Sequence, residues 1–88
     1  MVANRGQGDK IMTAKVSDVT LHIDEETSEA DRKALREQLL QQKGVISATY
    51  NNEKSHLIVV EYNPDIVNST TFLKVVEQFN MHAELIGM

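Results

Sequence analysis

Apolar and polar positions alternate with two distinct periods from residue 16 onward. Val19, Leu21 and Ile23 alternate with Thr20, His22 and Asp24. A period of two sends successive side chains to opposite faces, so this stretch predicts a half-buried strand. Ser28-Glu29-Ala30-Asp31 follows. A Ser with an acid three residues later marks a helix start: the Ser28 hydroxyl can accept from the Asp31 backbone N–H. Glu29 and Asp31 suit the positive end of the helix dipole. The helix is expected to run to about Gln42. Leu35 and Leu39 form its inward stripe, and Arg32, Lys33, Arg36 and Glu37 are expected on its wet side. Gly44 supplies a left-handed stop, with Val45 closing the cap.

Residues 45–51 predict a second strand with Ala48 and Tyr50 on one face, and Asn51-Asn52-Glu53-Lys54-Ser55 a hairpin loop. Residues 56–62 predict a third strand. Its unbroken apolar run suits a central position, Ile58 and Val60 facing one way and Leu57 and Val59 the other. Asn63-Pro64-Asp65 ends it, because Pro cannot donate to a ladder. Asn68 is the expected cap of a second helix, with Val67 and Phe72 as a hydrophobic staple. Phe72, Val75, Val76 and Phe79 share one helical face. Asn80 is the expected left-handed stop, and residues 81–86 the last strand. The order β-α-β-β-α-β predicts an α+β, ferredoxin-like fold: a four-stranded antiparallel sheet with two helices on one face. The other face has no helix to cover it. Residues 1–15 hold two of the four glycines and no periodic pattern, which predicts a flexible N-terminal tail before a domain at 16–88.

Composition narrows the chemistry. The 88 residues make one small domain. The absence of Cys excludes disulfides, thiolate metal ligands and a Cys nucleophile. Net charge is −4, and the nine Lys and Arg are scattered, so nucleic acid is not an expected partner. Nothing approaches the ~20 apolar residues of a membrane span, and the N-terminus lacks the apolar core of a signal peptide. A cytoplasmic protein is the default expectation. No glycine-rich phosphate loop, nucleophile elbow or paired acid–base set is present, so the expectation is a protein that is not an enzyme.

Two clusters remain as candidate metal sites. Asp24, Glu25, Glu26, Glu29 and Asp31 crowd acids into the first helix start. Carboxylates suit Ca²⁺, Mg²⁺ or Mn²⁺, or a basic partner; they equally suit a solvated helix N-terminus. His22, His82 and Glu84 fall on the uncovered sheet face if the first and last strands pair. Two imidazoles and a carboxylate can hold Zn²⁺ or Cu²⁺, or simply lie exposed. His56 opens a strand with no evident partner. Leu57, Val59 and Ile86 also fall on the uncovered face, where apolar residues can mark a partner or homodimer surface.

Taken together, the first strand, Gly44-Val45, Tyr62-Asn63-Pro64-Asp65 and Val67-Asn68 before Phe72 resemble the heavy-metal-associated domain family. This is the fold of copper chaperones and of the N-terminal modules of metal-pumping ATPases. The resemblance covers residues 16–87. That family binds soft ions through Met-x-Cys-x-x-Cys at the loop entering the first helix. Here Ser28 and Asp31 stand where the two Cys would be, and Glu26 where the Met would be. A hydroxyl and a carboxylate do not replace thiolates for Cu(I). The resemblance therefore implies a binding or adaptor module without the thiolate site, with the acidic loop and the open sheet face as its surfaces. The alternative is a metal-binding or metal-transport protein using Glu26, Ser28 and Asp31, or His22, His82 and Glu84. No cofactor is expected beyond a weakly held divalent metal. A third reading, a small-molecule regulatory module, ranks last: the loop after the first strand lacks glycines that would let a ligand approach the backbone.

Overall fold

The computed structural model describes residues 15–86. The expected tail at 1–15 lies outside them except for Lys15. The elements run β1 (Ser17–Ile23), α1 (Glu29–Leu40), β2 (Val45–Asn51), β3 (Lys54–Tyr62), α2 (Thr70–Glu77) and β4 (Ala83–Ile86). The sheet order is β2-β3-β1-β4, and every neighbouring pair is antiparallel. This is the ferredoxin-like arrangement.

Period two explains the sheet. Val19, Leu21 and Ile23 of β1, Ala48 of β2, and Ile58 and Val60 of β3 are all buried on the helix side. Leu35 and Leu39 of α1 and Phe72, Val75 and Val76 of α2 close the core from above. Tyr62 meets Phe72 edge-to-face with centroids 5.1 Å apart, a favoured aromatic geometry. No helix among the described residues is long and apolar enough to cross a membrane.

The caps follow the expected chemistry, and the last strand starts later than expected. Ser28 accepts from Asp31 N–H at 3.1 Å. Gly44 has φ +96°, which a side chain rarely adopts. Its carbonyl accepts from Asn63 N–H at 2.8 Å, tying the end of α1 to the turn after β3. Ser69 flanks α2 but makes no side-chain cap. Asn68, one residue earlier, does the work: its Oδ1 accepts from Thr70 N–H at 2.9 Å and from the Thr70 hydroxyl at 3.0 Å. The last strand starts at Ala83 rather than Met81. Asn80, at φ 59°, turns the chain, and Met81 N–H still reaches back to the Val76 carbonyl.

The outer strand β2 carries a bulge. Val45 pairs with Tyr62 and Ser47 with Glu61, so Ile46 is the extra residue, and it is exposed. Arg36 Nε donates to the Ala48 carbonyl of this strand at 2.7 Å.

One assignment is corrected. Arg32, expected on the wet side of α1, is only 6% exposed. It lies one turn before Leu35, and its guanidinium folds inward to partners on the loop before α1 and on the β2–β3 hairpin. Leu40 ends the helix, two residues before the expected limit.

Candidate functional site

The loop between β1 and α1 is held from below by Arg32. One terminal nitrogen donates to the Thr27 carbonyl at 2.7 Å and to Thr27 Oγ1 at 3.0 Å. The other donates to Asn52 Oδ1 at 2.9 Å. Arg32 Nε has no hydrogen-bond partner. The Tyr50 ring, 5.8 Å from the guanidinium carbon, offers a cation–π contact in its place. The Thr27 hydroxyl in turn reaches the Ser55 carbonyl at 3.3 Å.

This scaffold decides what the acidic loop can do. Ser28 already spends its hydroxyl oxygen as the helix cap. Glu29 Oε2 accepts weakly from Asn52 Nδ2 at 3.4 Å. The buried cation of Arg32 lies against the loop backbone and opposes a metal ion there. Asp24, Glu26 and Asp31 are exposed. Among the described residues, no group of three or more His, Asp or Glu is arranged to hold a metal. The carboxylates at 24–31 thus form a solvated acidic rim around a capped helix start.

Glu25 behaves differently from its neighbours. Its Oε2 accepts from His82 Nδ1 at 2.7 Å, and its Oε1 accepts from the His82 backbone N–H at 2.8 Å. The side-chain hydrogen bond to His82 holds the Glu25 carboxyl below its ordinary value. The same bond, with the charge of Glu25, raises His82 above 6.5. Asp24 N–H donates to the His82 carbonyl at 2.8 Å, so this loop and the turn before β4 are joined three times over.

That engagement changes the expected histidine cluster. His22 does face the open side of the sheet, opposite Glu84 on β4 and Leu57 on β3. His82 lies before β4 and is committed to Glu25. The imidazole beside His22 is His56, which the sequence pattern left without a role: their ring centroids are 5.7 Å apart and nearly parallel. His56 Nδ1 is 2.7 Å from the Ile23 carbonyl. Strand alternation assigns backbone positions to faces, but not where a ring at a strand end swings.

The uncovered face is built from Asp18, Thr20 and His22 of β1, Ser47 and Thr49 of β2, Leu57, Val59 and Glu61 of β3, and Glu84 and Ile86 of β4. Val59 is 37% and Ile86 42% exposed. Asp18 and Glu61 stand directly opposite each other, like charge against like. Ser47 donates to Glu61 Oε1 at 2.7 Å. No Lys or Arg occurs among these face positions.

No protein-family model matches this sequence, and no curated protein does. Solved structures do match in fold. A copper-binding domain of HMA7, a P-type ATPase, superposes with a TM-score of 0.71 at 17% identity, over 80% of this chain and 93% of that one. Oxidized MerP of Ralstonia metallidurans gives 0.74 at 15% identity, over 83% of this chain and all of that one. The N-terminal domain of PacS from Synechocystis gives 0.67 at 18%, over 81% and 98%. The fold is that of heavy-metal-associated domains. The soft-ion site of that fold does not fit the residues here: the chain has no Cys, the Ser28 oxygen is a cap, and a guanidinium sits against the loop.

Proposed function

We propose that this chain is a non-enzymatic binding or adaptor module on the heavy-metal-associated fold, recognising a basic partner through the uncovered face of its sheet. The carrying observation is that face: Leu57 and Val59 on the inner strand β3 and Ile86 at the β4 margin as its apolar residues, with Asp18, Glu61 and Glu84 as its charges and no cation among them. Apolar contact supplies the favourable burial, and the carboxylates select a partner with Lys or Arg around an apolar centre. The acids at 24–31 extend the same sign of charge beyond the end of β1, where Asp24, Glu26 and Glu29 are exposed. Two copies set face to face would oppose the same acids, which disfavours a homodimer through this surface.

The test is a backbone NMR titration with a cationic amphipathic peptide, beside its charge-reversed counterpart. Shifts should concentrate on β1, β3 and β4 face positions, weaken with salt, and be lost in Val59→Asp. Equal binding of the acidic peptide, or shifts confined to the helices, would sink the reading.

A second reading, metal binding through non-thiol ligands, is favoured by one observation: the approach of His22 to His56.

A further inference from the structure

The geometry points to a site for a borderline divalent cation formed by His22 and His56, at the end of the sheet where β1 finishes and β3 begins. We propose that these two imidazoles bind Zn²⁺ or Cu²⁺ through one nitrogen each, with water completing the shell and Glu84 as the adjacent carboxylate. The site deepens the second reading above; it shares His22 and Glu84 with the uncovered face and is separate from the carboxylates at 24–31.

The chemistry begins with His56. A carbonyl oxygen can only accept, so the contact of Nδ1 with Ile23 O means that Nδ1 carries the hydrogen. The neutral ring then presents its lone pair at Nε2. A ring N–H anchored on a backbone carbonyl is the arrangement that orients ligating histidines. His56 is half-buried, so its ring is held by the fold before any ion arrives.

His22 supplies the second nitrogen. It is exposed on the open face, and its ring centroid lies 5.7 Å from that of His56. At a metal–nitrogen distance of about 2.0–2.1 Å and a tetrahedral angle, two imidazole centroids fall about 5 Å apart. The observed separation is only slightly larger, and the exposed His22 ring has room to turn toward an ion shared with His56. Its cross-strand partner Glu84 sets a negative charge beside the ion. No face residue among those named carries a positive charge to oppose it.

The donor set selects the ion. Neutral imidazoles favour Cu²⁺ and Zn²⁺, with Cu²⁺ the tighter, whereas Ca²⁺ and Mg²⁺ require oxygen-rich shells. With two protein nitrogens and no third ligand already in place, binding should saturate below millimolar ion without reaching the affinity of a closed structural site. His82 takes no part, because it lies before β4 with its ring turned to Glu25, and among the described residues no group of three His, Asp or Glu is arranged to hold a metal.

The test is an NMR titration of the histidine ring signals with Zn²⁺ alone, on the unmodified chain and on His22→Gln, His56→Gln and His82→Gln. The expected result is saturable shifts at both His22 and His56 below millimolar Zn²⁺. His22→Gln should weaken binding at least tenfold, and His82→Gln should leave it unchanged. Ca²⁺ should move none of these rings. His56→Gln also removes the ring contact with Ile23, so His22→Gln is the deciding variant: it is exposed, and its unfolding midpoint checks that it folds. Unsaturable shifts, binding that survives His22→Gln, or saturable shifts at the carboxylates of 24–31 instead would overturn the proposal.

Discussion

Glu25 holds His82 at two points, the ring Nδ1 at 2.7 Å and the backbone N–H at 2.8 Å. A single carboxylate thereby fastens the loop before α1 to the turn before β4. These segments are 57 residues apart in the chain.

That pairing predicts a pH window. The lowered carboxyl of Glu25 contributes above its unfolded pKa and loses its contribution as pH falls through the depressed folded value. The raised imidazole of His82 contributes fully below its unfolded pKa and loses its contribution as pH rises through the elevated folded value. The clamp is therefore at full strength between the two unfolded values, 4.5 and 6.5, and fades on either side toward the folded ones. The His82 ring proton signals should titrate above the ordinary 6.5. In Glu25→Gln the midpoint should return toward it. An unchanged midpoint in that variant would mean that the carboxylate does not set it.

Gly44→Ala should destabilise the chain by about 2 kcal/mol, the cost of a left-handed residue bearing a side chain plus a steric conflict. Its Cβ would stand 2.8 Å from Ile66 Cγ2 and 2.9 Å from Val67 Cγ1. Urea unfolding reads the cost. A loss below about 0.5 kcal/mol, typical of neutral surface changes, would show that the corner relaxes freely.

Arg32→Ala should cost about 2–3 kcal/mol, because it removes charged hydrogen bonds to Thr27 and Asn52 in a buried setting. Arg32→Lys should recover little, since an ammonium cannot span both partners as a planar fork does. Hydrogen exchange should rise at 24–28 in both variants. Full stability in Arg32→Lys would reduce the role of this side chain to charge alone.

Replacing Ser28 and Asp31 by Cys tests the scaffold itself. The S28C/D31C variant should take up one Cu⁺ under reducing conditions, because two thiolates leave the site net negative, so that the helix N-terminus and the Arg32 cation, which oppose a bare ion, then favour it. Loss of the Ser28 cap should cost about 1 kcal/mol. Failure to bind Cu⁺ in a folded variant would show that the loop held by Arg32 no longer has the shape of a thiolate site.

Much of the fold was legible because its residues report locally. Val19, Leu21 and Ile23 alternate, Phe72, Val75 and Val76 share a helical face, and Ser28, Gly44 and Asn80 mark ends by backbone chemistry. The site was less legible because its contacts join distant segments. Arg32 reads as polar on a helical wheel, yet its donors find Thr27 and Asn52 only after the hairpin has folded beside α1. His82 shares strand parity with Glu84, but Glu25 captures it before β4 begins. His56, with the opposite parity, swings to the Ile23 carbonyl and arrives beside His22. Period two cannot express either event.

The bulge at Ile46 and the Arg36 contact to Ala48 bear on how another molecule can approach. An outer strand with regular, unoccupied backbone groups invites an incoming chain to extend the sheet. Here the ladder spacing of that strand is broken, and one of its carbonyls is already bonded to a guanidinium. At the opposite margin, β4 runs for four residues among those described. Both margins are poor templates for strand addition. A partner of the proposed kind would therefore meet side chains on the broad surface, and the same two devices disfavour edge-to-edge pairing of concentrated copies.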